Sequence, residues 1–115
     1  MKTNSRFGFF LSICSITNQP NAYNIKYRPD FYFDCDNYAI VLEIDEYRHS
    51  RYDEELERMY KLKMAIGKPT RFIRYNPDHK TSSKEERHIK IRQTLDFHLN
   101  LVELTELEPV YLFYA

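Results

Sequence analysis

The sequence predicts one α/β domain over residues 1–115, in which a mixed β-sheet is flanked by two main helices. Three observations support this fold class. The chain has 115 residues, of which 43% are hydrophobic, and this length suits a single core. Several short runs are rich in β-branched and aromatic residues, which is typical of strands. Two longer segments with helical periodicity separate the later runs, and a helix between strands indicates a parallel crossover.

The first half of the chain predicts three strands. Residues 7–17 form an apolar, β-rich run that ends at a turn-prone Asn-Gln-Pro-Asn sequence. Residues 24–33 alternate apolar and polar positions, and Pro29 within them indicates an edge position or a break, because proline cannot donate to a ladder. After a turn at residues 34–37, residues 38–45 are continuously apolar in their middle, as in a strand buried on both faces. The last two segments predict a β-hairpin.

The second half predicts two helices and two further strands. The first helix begins at Ser50, a candidate N-cap, and runs to about Ile66, where Gly67 and Pro69 end it. Its expected buried stripe comprises Leu56, Met59, Tyr60 and Ile66, with the stem of Lys63. A strand over residues 70–75, a helix from Ser82 or Ser83 to about Asn100 and a closing strand over residues 109–114 follow. The apolar positions of the second helix are Ile89, Ile91, Leu95 and Leu99.

The charges of the chain are segregated along the sequence, although their sum is zero. Residues 30–57 carry ten acidic and two basic side chains, a net charge of −8, whereas residues 58–92 carry eleven basic and three acidic ones, a net charge of +8. Residues 1–29 add +4 and residues 93–115 add −4. Neutrality therefore does not argue against a nucleic-acid partner, because an acidic block can bind a cation while a basic block binds phosphates.

Composition argues against a membrane protein and a disulfide scaffold. No stretch approaches the roughly 18–20 apolar residues of a spanning helix. Cys14 and Cys35 are too few for a disulfide framework and lack the partners of a zinc site, so both are expected to be reduced thiols. The apolar run after Lys2 and Arg6 resembles the start of a signal peptide, but no cleavage site follows it. We therefore expect an intracellular protein of the cytoplasm or nucleus.

Three acidic residues occupy strand positions where apolar side chains are usual. Asp30 follows Pro29 in the first hairpin strand, and Glu43 and Asp45 alternate at the end of the second, so that both point to the same face. A buried, unpaired carboxylate is costly, and neighbouring carboxylates repel each other. A divalent cation with a preference for hard oxygen ligands, Mg²⁺ or Mn²⁺, removes both penalties. The alternative is a surface hairpin whose acids are simply hydrated.

These residues occur in an order that resembles a known family. Arg28-Pro29-Asp30 followed by Glu43-Ile44-Asp45 resembles the PD-(D/E)XK nuclease superfamily. The longer string is similar to the Vsr-like branch, which is related to very-short-patch repair endonucleases and includes proteins of large DNA viruses. The resemblance covers about residues 24–78. It implies a restriction-endonuclease-like fold and extends the expected location to a virus-infected host cell.

The resemblance also implies an activity and a site. The activity would be that of a metal-dependent endonuclease that hydrolyses phosphodiester bonds of DNA. Asp30 and Glu43 would hold Mg²⁺ or Mn²⁺, with the Ile44 carbonyl as a third oxygen ligand. Asp45 stands where the family has a lysine and would orient the attacking water as a base, while His49 would accept a proton or protonate the leaving oxygen. This chain also has no acidic residue before Asp30.

Seven basic residues are candidate contacts to the nucleic acid, namely Arg28, Arg48, Arg51, Arg58, Arg71, Arg74 and Lys80. The alternatives are an ordinary charged surface and, for Arg58, a pairing with a carboxylate. For the whole chain, the alternative to a nuclease is a catalytically inactive nucleic-acid-binding module with the same fold. A subunit of a homodimer or of a larger assembly is the third hypothesis, and RNA is the open alternative to DNA as the partner.

Overall fold

The structure is a computed structural model that describes residues 15–17, 29–45 and 52–114. Within these residues it contains five strands and two helices. The strands are β1 (Ser15–Thr17), β2 (Phe31–Asp34), β3 (Ala39–Ile44), β4 (Thr70–Tyr75) and β5 (Val110–Leu112). The helices are α1 (Tyr52–Ile66) and α2 (Lys84–Leu99). The predicted α/β class with a mixed sheet and two helices is confirmed.

The strands of the described chain lie in sequence order across one sheet, β1-β2-β3-β4-β5. The first three strands pair antiparallel, whereas β3, β4 and β5 pair parallel. The change of direction follows from the connections, because a short turn returns the chain antiparallel while a helical crossover returns it parallel. The loop between β2 and β3 makes the predicted hairpin, in which Asp36 adopts φ 73° and donates its amide to Asp34 Oδ1 at 3.1 Å.

The core consists of two apolar layers, one on each face of the sheet. Val41 and Phe72 belong to the layer beneath α1, and Ile40, Leu42 and Ile73 belong to the layer beneath α2. This division follows from the alternation of side chains along a strand. It confirms a strand buried on both faces within residues 38–45, which the structure bounds at Ala39–Ile44, and it leaves one sheet face under each helix.

Helix α1 packs through a different stripe from the expected one. Met59, Leu62 and Ile66 are buried against the sheet, whereas Leu56 and Tyr60 are 40% and 64% exposed. The prediction for the latter two was wrong because the helix has two apolar stripes, and periodicity does not say which one meets the sheet. The predicted C-terminus is confirmed: Gly67 has φ +78° and donates its amide to the Lys63 carbonyl at 3.0 Å.

Helix α2 begins with a capping box. The Ser83 hydroxyl accepts the Glu86 amide at 3.0 Å, and the Glu86 carboxylate accepts the Ser83 amide at 2.8 Å. Leu95 and Leu99 are buried as expected, but Ile89 is 47% exposed, because it lies about 120° around the helix from Leu95. In the described chain, neither helix has the length and apolar character needed to cross a membrane.

Cys35 is disulfide-bonded, and no described cysteine is free. The prediction of a reduced thiol was therefore wrong for this residue, while Cys14 lies outside the described residues. Cys35 follows Asp34, which pairs with Ser15 of β1. This pairing places the segment that contains Cys35 beside the segment that contains Ser15, although the two are distant in the sequence. The sequence spacing of the two segments did not predict that they are neighbours in the sheet.

Candidate functional site

A row of side chains crosses the sheet on the face covered by α1. The strand register pairs Glu43 with Arg74 and Arg74 with Tyr111. Phe31 pairs with Leu42, so that Asp30 lies beside Glu43 at the end of the row. Residues that are directly opposite in neighbouring strands share a face. We call Asp30, Glu43, Arg74 and Tyr111 the transverse row.

Asp30 joins the start of β2 to the end of β3. It is exposed, and its Oδ2 accepts the backbone amide of Ile44 at 2.7 Å. The bond holds the carboxylate beside Glu43 and Ile44, which are the residues expected to complete a metal site with it. The structure thus brings together the three predicted metal-binding positions.

Glu43 and Asp45 are 6% and 3% exposed. Their alternation places both on the α1 face, as predicted, and their burial contradicts the alternative of hydrated acids for these two residues, whereas Asp30 is exposed. They lie at the carboxyl end of β3, beside the carboxyl end of the parallel strand β4. Ligand sites of open α/β sheets lie beyond the carboxyl ends of such strands.

Asp45 is held by an arginine and a tyrosine. Its Oδ2 accepts Arg74 Nε at 2.7 Å and also the Tyr114 hydroxyl, and its Oδ1 accepts Arg74 Nη2 at 2.9 Å. Both carboxylate oxygens therefore serve as acceptors within the protein. This placement differs from the expected role of Asp45 as a base that orients water.

Arg74 lies inside the protein and not on a phosphate-binding surface. It is 3% exposed, and its Nη2 also donates to Glu55 Oε1 at 2.6 Å. The guanidinium thus faces two carboxylates from two different elements, β3 and α1. The prediction that Arg74 contacts DNA does not agree with this position, because a buried and doubly paired side chain presents no donor to solvent.

Sequence analysis missed two members of this cluster, Glu55 and Tyr114. Glu55 precedes Met59, Leu62 and Ile66 at helical spacing, so its place on the buried stripe could have been found. No local sequence pattern indicates that Tyr114 belongs to the cluster, because only the pairing of β4 with β5 brings Tyr114 to Asp45. Burial and the hydrogen bond to the Asp45 carboxylate raise the pKa of Tyr114 above its usual value, so its hydroxyl remains protonated and donates.

The other predicted phosphate contacts are dispersed. The Arg58 side chain is 54% exposed and lies 3.7 Å from Glu55 Oε2, which agrees with the carboxylate-pairing alternative. Arg71 lies on the opposite face of the sheet, where its Nε donates to the Glu108 carbonyl at 2.7 Å. Lys80 is exposed in the loop after β4. The remaining predicted site residues, Arg28, Arg48, His49 and Arg51, lie outside the described residues.

The donor set suits a magnesium-type cation with few protein ligands. Among the described residues, no group of three or more His, Cys, Asp and Glu side chains could hold a metal ion. Asp30 and Glu43 nevertheless place two carboxylates on either side of Ile44 in the hairpin, one bonded to its amide and one adjacent to it in sequence. Because Mg²⁺ is commonly held by one or two carboxylates, with water and phosphate as its other ligands, the residues fit such an ion. Asp45 instead accepts hydrogen bonds from Arg74 and Tyr114 through both of its oxygens.

The site therefore has two parts, the carboxylate pair Asp30–Glu43 and the buried cluster of Asp45, Arg74, Glu55 and Tyr114. Comparisons of this chain with protein-family models, with curated proteins and with solved structures found no match. The assignment of a function therefore depends on the side-chain geometry of these two parts and on the order of the sequence motifs.

Proposed function

We propose that this chain is a metal-dependent endonuclease that hydrolyses phosphodiester bonds of DNA, with a restriction-endonuclease-like fold of the PD-(D/E)XK nuclease superfamily. One observation carries the proposal: the Asp30 carboxylate, which accepts the Ile44 amide, lies at the carboxyl end of β3 next to the position of the buried Glu43. A buried acid beside a second acid is stabilised by a cation. A cation there can in turn bind an anionic substrate such as a phosphodiester.

The order of the elements supports this assignment. The two motif strands β2 and β3 form a hairpin, α1 follows, and β4 then pairs parallel to β3. The motifs that resemble the superfamily are expected in this order of strand, turn, strand, helix and strand. The resemblance places a lysine where this chain has Asp45. Here the positive charge beside Glu43 comes from Arg74 on the neighbouring strand.

Each residue then has a defined task. Asp30 and Glu43 would hold Mg²⁺ or Mn²⁺, which supplies Lewis-acid polarisation of the phosphate and a lowered pKa of a bound water. The Ile44 amide fixes the Asp30 carboxylate through Oδ2. Arg74 neutralises Asp45, so that the carboxylate nearest to Glu43 in sequence does not add an uncompensated charge.

A plasmid-cleavage experiment tests the proposal. Supercoiled plasmid is incubated with the protein in Mg²⁺, in Mn²⁺ and in EDTA, and nicked and linear products are quantified. We expect Asp30→Asn and Glu43→Gln to lower the rate by at least about 100-fold, the upper range reported even for outer-shell partners of metals. Asp36→Asn is the matched control, because Asp36 is exposed in the hairpin turn with a positive φ that asparagine tolerates. Cleavage that persists in the Asp30 and Glu43 variants contradicts the assignment.

One observation favours the alternative of an inactive nucleic-acid-binding module. Both oxygens of Asp45 accept hydrogen bonds from Arg74 and Tyr114, and this pairing within the protein favours a structural role over that of a water-activating base. If no nucleic acid is cleaved but binding persists and weakens steeply with salt, the binding module is the better assignment, since phosphate contacts release counterions.

A further inference from the structure

Helix α1 carries a second apolar stripe that points away from the sheet. We call Leu56, Tyr60 and Met64 the outer stripe; they are 40%, 64% and 66% exposed. The three residues are spaced four positions apart, so they lie one above another on the same side of the helix. At about 100° per residue, this side lies about 130° around the helix from the stripe that packs on the sheet. Single exposed apolar residues are normal, whereas an aligned patch of them indicates an interaction surface.

The charges of α1 are divided between its two halves. Residues 52–57 contain four acidic and no basic side chains, a net charge of −4, and residues 58–66 contain three basic and no acidic ones, a net charge of +3. The sign changes close to Tyr60, which is also the middle of the outer stripe. Two parallel copies of α1 would set like charges against each other, whereas two antiparallel copies set each acidic half against a basic half.

The flank of the outer stripe is charged, but its charges balance. Glu54, Glu57, Arg58 and Lys61 line a hollow of about 270 Å³ there. Glu57 Oε2 and Lys61 Nζ are 3.2 Å apart, and their side chains are 65% and 69% exposed, so both are accessible to a second molecule. Two acids and two bases do not attract a polyanion such as nucleic acid. They complement a protein surface that also carries both signs.

We propose that the outer stripe joins two copies of this chain, whose α1 helices pack antiparallel about a two-fold axis close to Tyr60. A two-fold interface uses the same patch twice, so residues equally far before and after the axis face each other. Leu56 of each copy then packs on Met64 of the other, and the two Tyr60 rings meet at the axis. Glu57 and Lys61 share one flank but lie on opposite sides of the axis, so Glu57 of one copy comes beside Lys61 of the other.

The expected association is reversible. The helix has 15 residues and is about 22 Å long, so a contact of one helix per copy is small and belongs with weak, transient interfaces. Tyrosine and methionine are enriched at the centres of protein interfaces, and charged residues at their rims, which agrees with the outer stripe and its flank. We expect a dissociation constant between about 1 μM and 1 mM. The proposal does not depend on nuclease activity.

Sedimentation equilibrium of the full chain tests the dimer over that concentration range. The mass should rise with concentration from 14.0 kDa towards twice this value. Tyr60→Glu sets two carboxylates against each other at the axis and should weaken association by at least about 10-fold. Val102→Glu is the matched control, because it adds the same charge at a 90% exposed apolar position outside α1, and it should dimerise like the wild type. If circular dichroism shows that Tyr60→Glu does not fold, Met64→Glu replaces it, with the same expected loss.

Crosslinking tests the antiparallel orientation. Leu56→Cys and Met64→Cys copies are mixed and mildly oxidised, and peptide mass mapping identifies the joined positions. An antiparallel pair joins position 56 of one copy to position 64 of the other. It does not join two copies of Leu56→Cys, because these positions lie eight residues apart along the pair, about 12 Å, which is beyond the reach of a disulfide.

Charge reversal tests the contact between the flanks. Glu57→Lys and Lys61→Glu should each weaken association, and the two together should restore it, because the combination exchanges the signs without removing the pair. A monomer at every concentration, a dimer that Tyr60→Glu leaves intact, or disulfides only between like copies would overturn the proposal. A monomer in which Tyr60→Glu lowers stability in urea would also overturn it, since another segment of the same chain would then cover the stripe. Asp30→Asn should dimerise like the wild type, so the nuclease assignment can fail without the dimer.

Discussion

Arg74 is the residue around which the buried charges are organised. Its planar guanidinium contacts Asp45 through two nitrogens, at 2.7 and 2.9 Å, and reaches Glu55 at 2.6 Å. Two parallel donors match a carboxylate in geometry as well as in charge, which lysine cannot do. The cluster therefore connects β3, β4 and α1 through specific hydrogen bonds, in addition to the apolar packing below α1.

We expect Arg74→Met to destabilise the protein by about 3–5 kcal/mol, because it leaves the buried Asp45 and the partly buried Glu55 without their cation. The free energy of unfolding in urea measures the effect. Arg58→Met is the control: its side chain is 54% exposed, and its loss should change stability by no more than about 0.5 kcal/mol. Combining Arg74→Met with Asp45→Asn should recover part of the stability. A double variant no more stable than Arg74→Met would contradict the ion-pair explanation.

His98 is a second residue whose environment has a measurable consequence. Its Nδ1 lies 2.8 Å from the Thr94 carbonyl and its Nε2 lies 3.3 Å from Arg71 Nη1. A neutral ring satisfies both contacts, because it donates through Nδ1 and accepts through Nε2. Burial and the nearby Arg71 charge lower the pKa of His98, opposed by the Thr94 bond and the Glu106 carboxylate.

The unfolded chain therefore binds a proton at His98 more readily than the folded protein does. Stability from this residue is present above its unfolded pKa, about 6.5, and decreases as the pH falls through the lower folded value. We expect urea unfolding at pH 7.5 and 5.5 to show a larger loss of stability for the wild type than for His98→Gln. An equal pH dependence in the two proteins would exclude this role.

At the scale of elements, each helix covers one face of the sheet, and the start of α2 is defined by local hydrogen bonds. The reciprocal bonds of Ser83 and Glu86 satisfy amides that the first helical turn leaves without intrahelical partners. Ser83 directly follows the loop that leaves β4. The cap therefore sets where the crossover from β4 to β5 becomes helical.

We expect Ser83→Ala to lower the free energy of unfolding by about 1 kcal/mol, the usual value for loss of an N-cap side chain. Chemical denaturation measures the change. Thr105→Ala, at an exposed position after α2, is the control and should be nearly neutral. A Ser83 variant as stable as the wild type would show that the capping box contributes little.

At the scale of the whole molecule, the disulfide of Cys35 lies at the end of β2, in the antiparallel part of the sheet. Cys35 directly follows β2, whose last residue, Asp34, pairs with Ser15 of β1. A crosslink limits the freedom of the unfolded chain, and such bonds typically contribute about 2–4 kcal/mol. The parallel half of the sheet depends instead on the two helices.

We expect Cys35 to escape alkylation when the protein is denatured without reductant, and to be alkylated after reduction. Peptide mass mapping identifies the modified residue. Reduction should also lower the urea midpoint, whereas the midpoint of a Cys35→Ser variant should not respond to reductant. Alkylation of Cys35 in the unreduced, denatured protein would contradict the disulfide.

Most elements could be anticipated from local patterns. The strand predicted over residues 70–75 matches β4 in full. Ser83 marks the start of α2, and Gly67 marks the end of α1. Capping, turn chemistry and strand periodicity act over a few residues, so the sequence displays them directly. The carboxylates of the hairpin could also be identified from the sequence, because an acidic residue within an apolar strand stands out from its immediate neighbours.

The partners of those carboxylates could not be anticipated in the same way. Arg74 was expected on the surface, and the tertiary structure places it between Asp45 and Glu55. Tyr111 and Tyr114 join the site only because β5 pairs with β4. Long-range contacts decide the register of the strands and which stripe of a helix is buried. Many alternative contacts compete for each of these choices, so a local sequence pattern does not predict them. Local chemistry was thus enough to indicate the elements and the acids, while the packing of α1 and β5 against the sheet decided which charges are neutralised and which ring lies beside them.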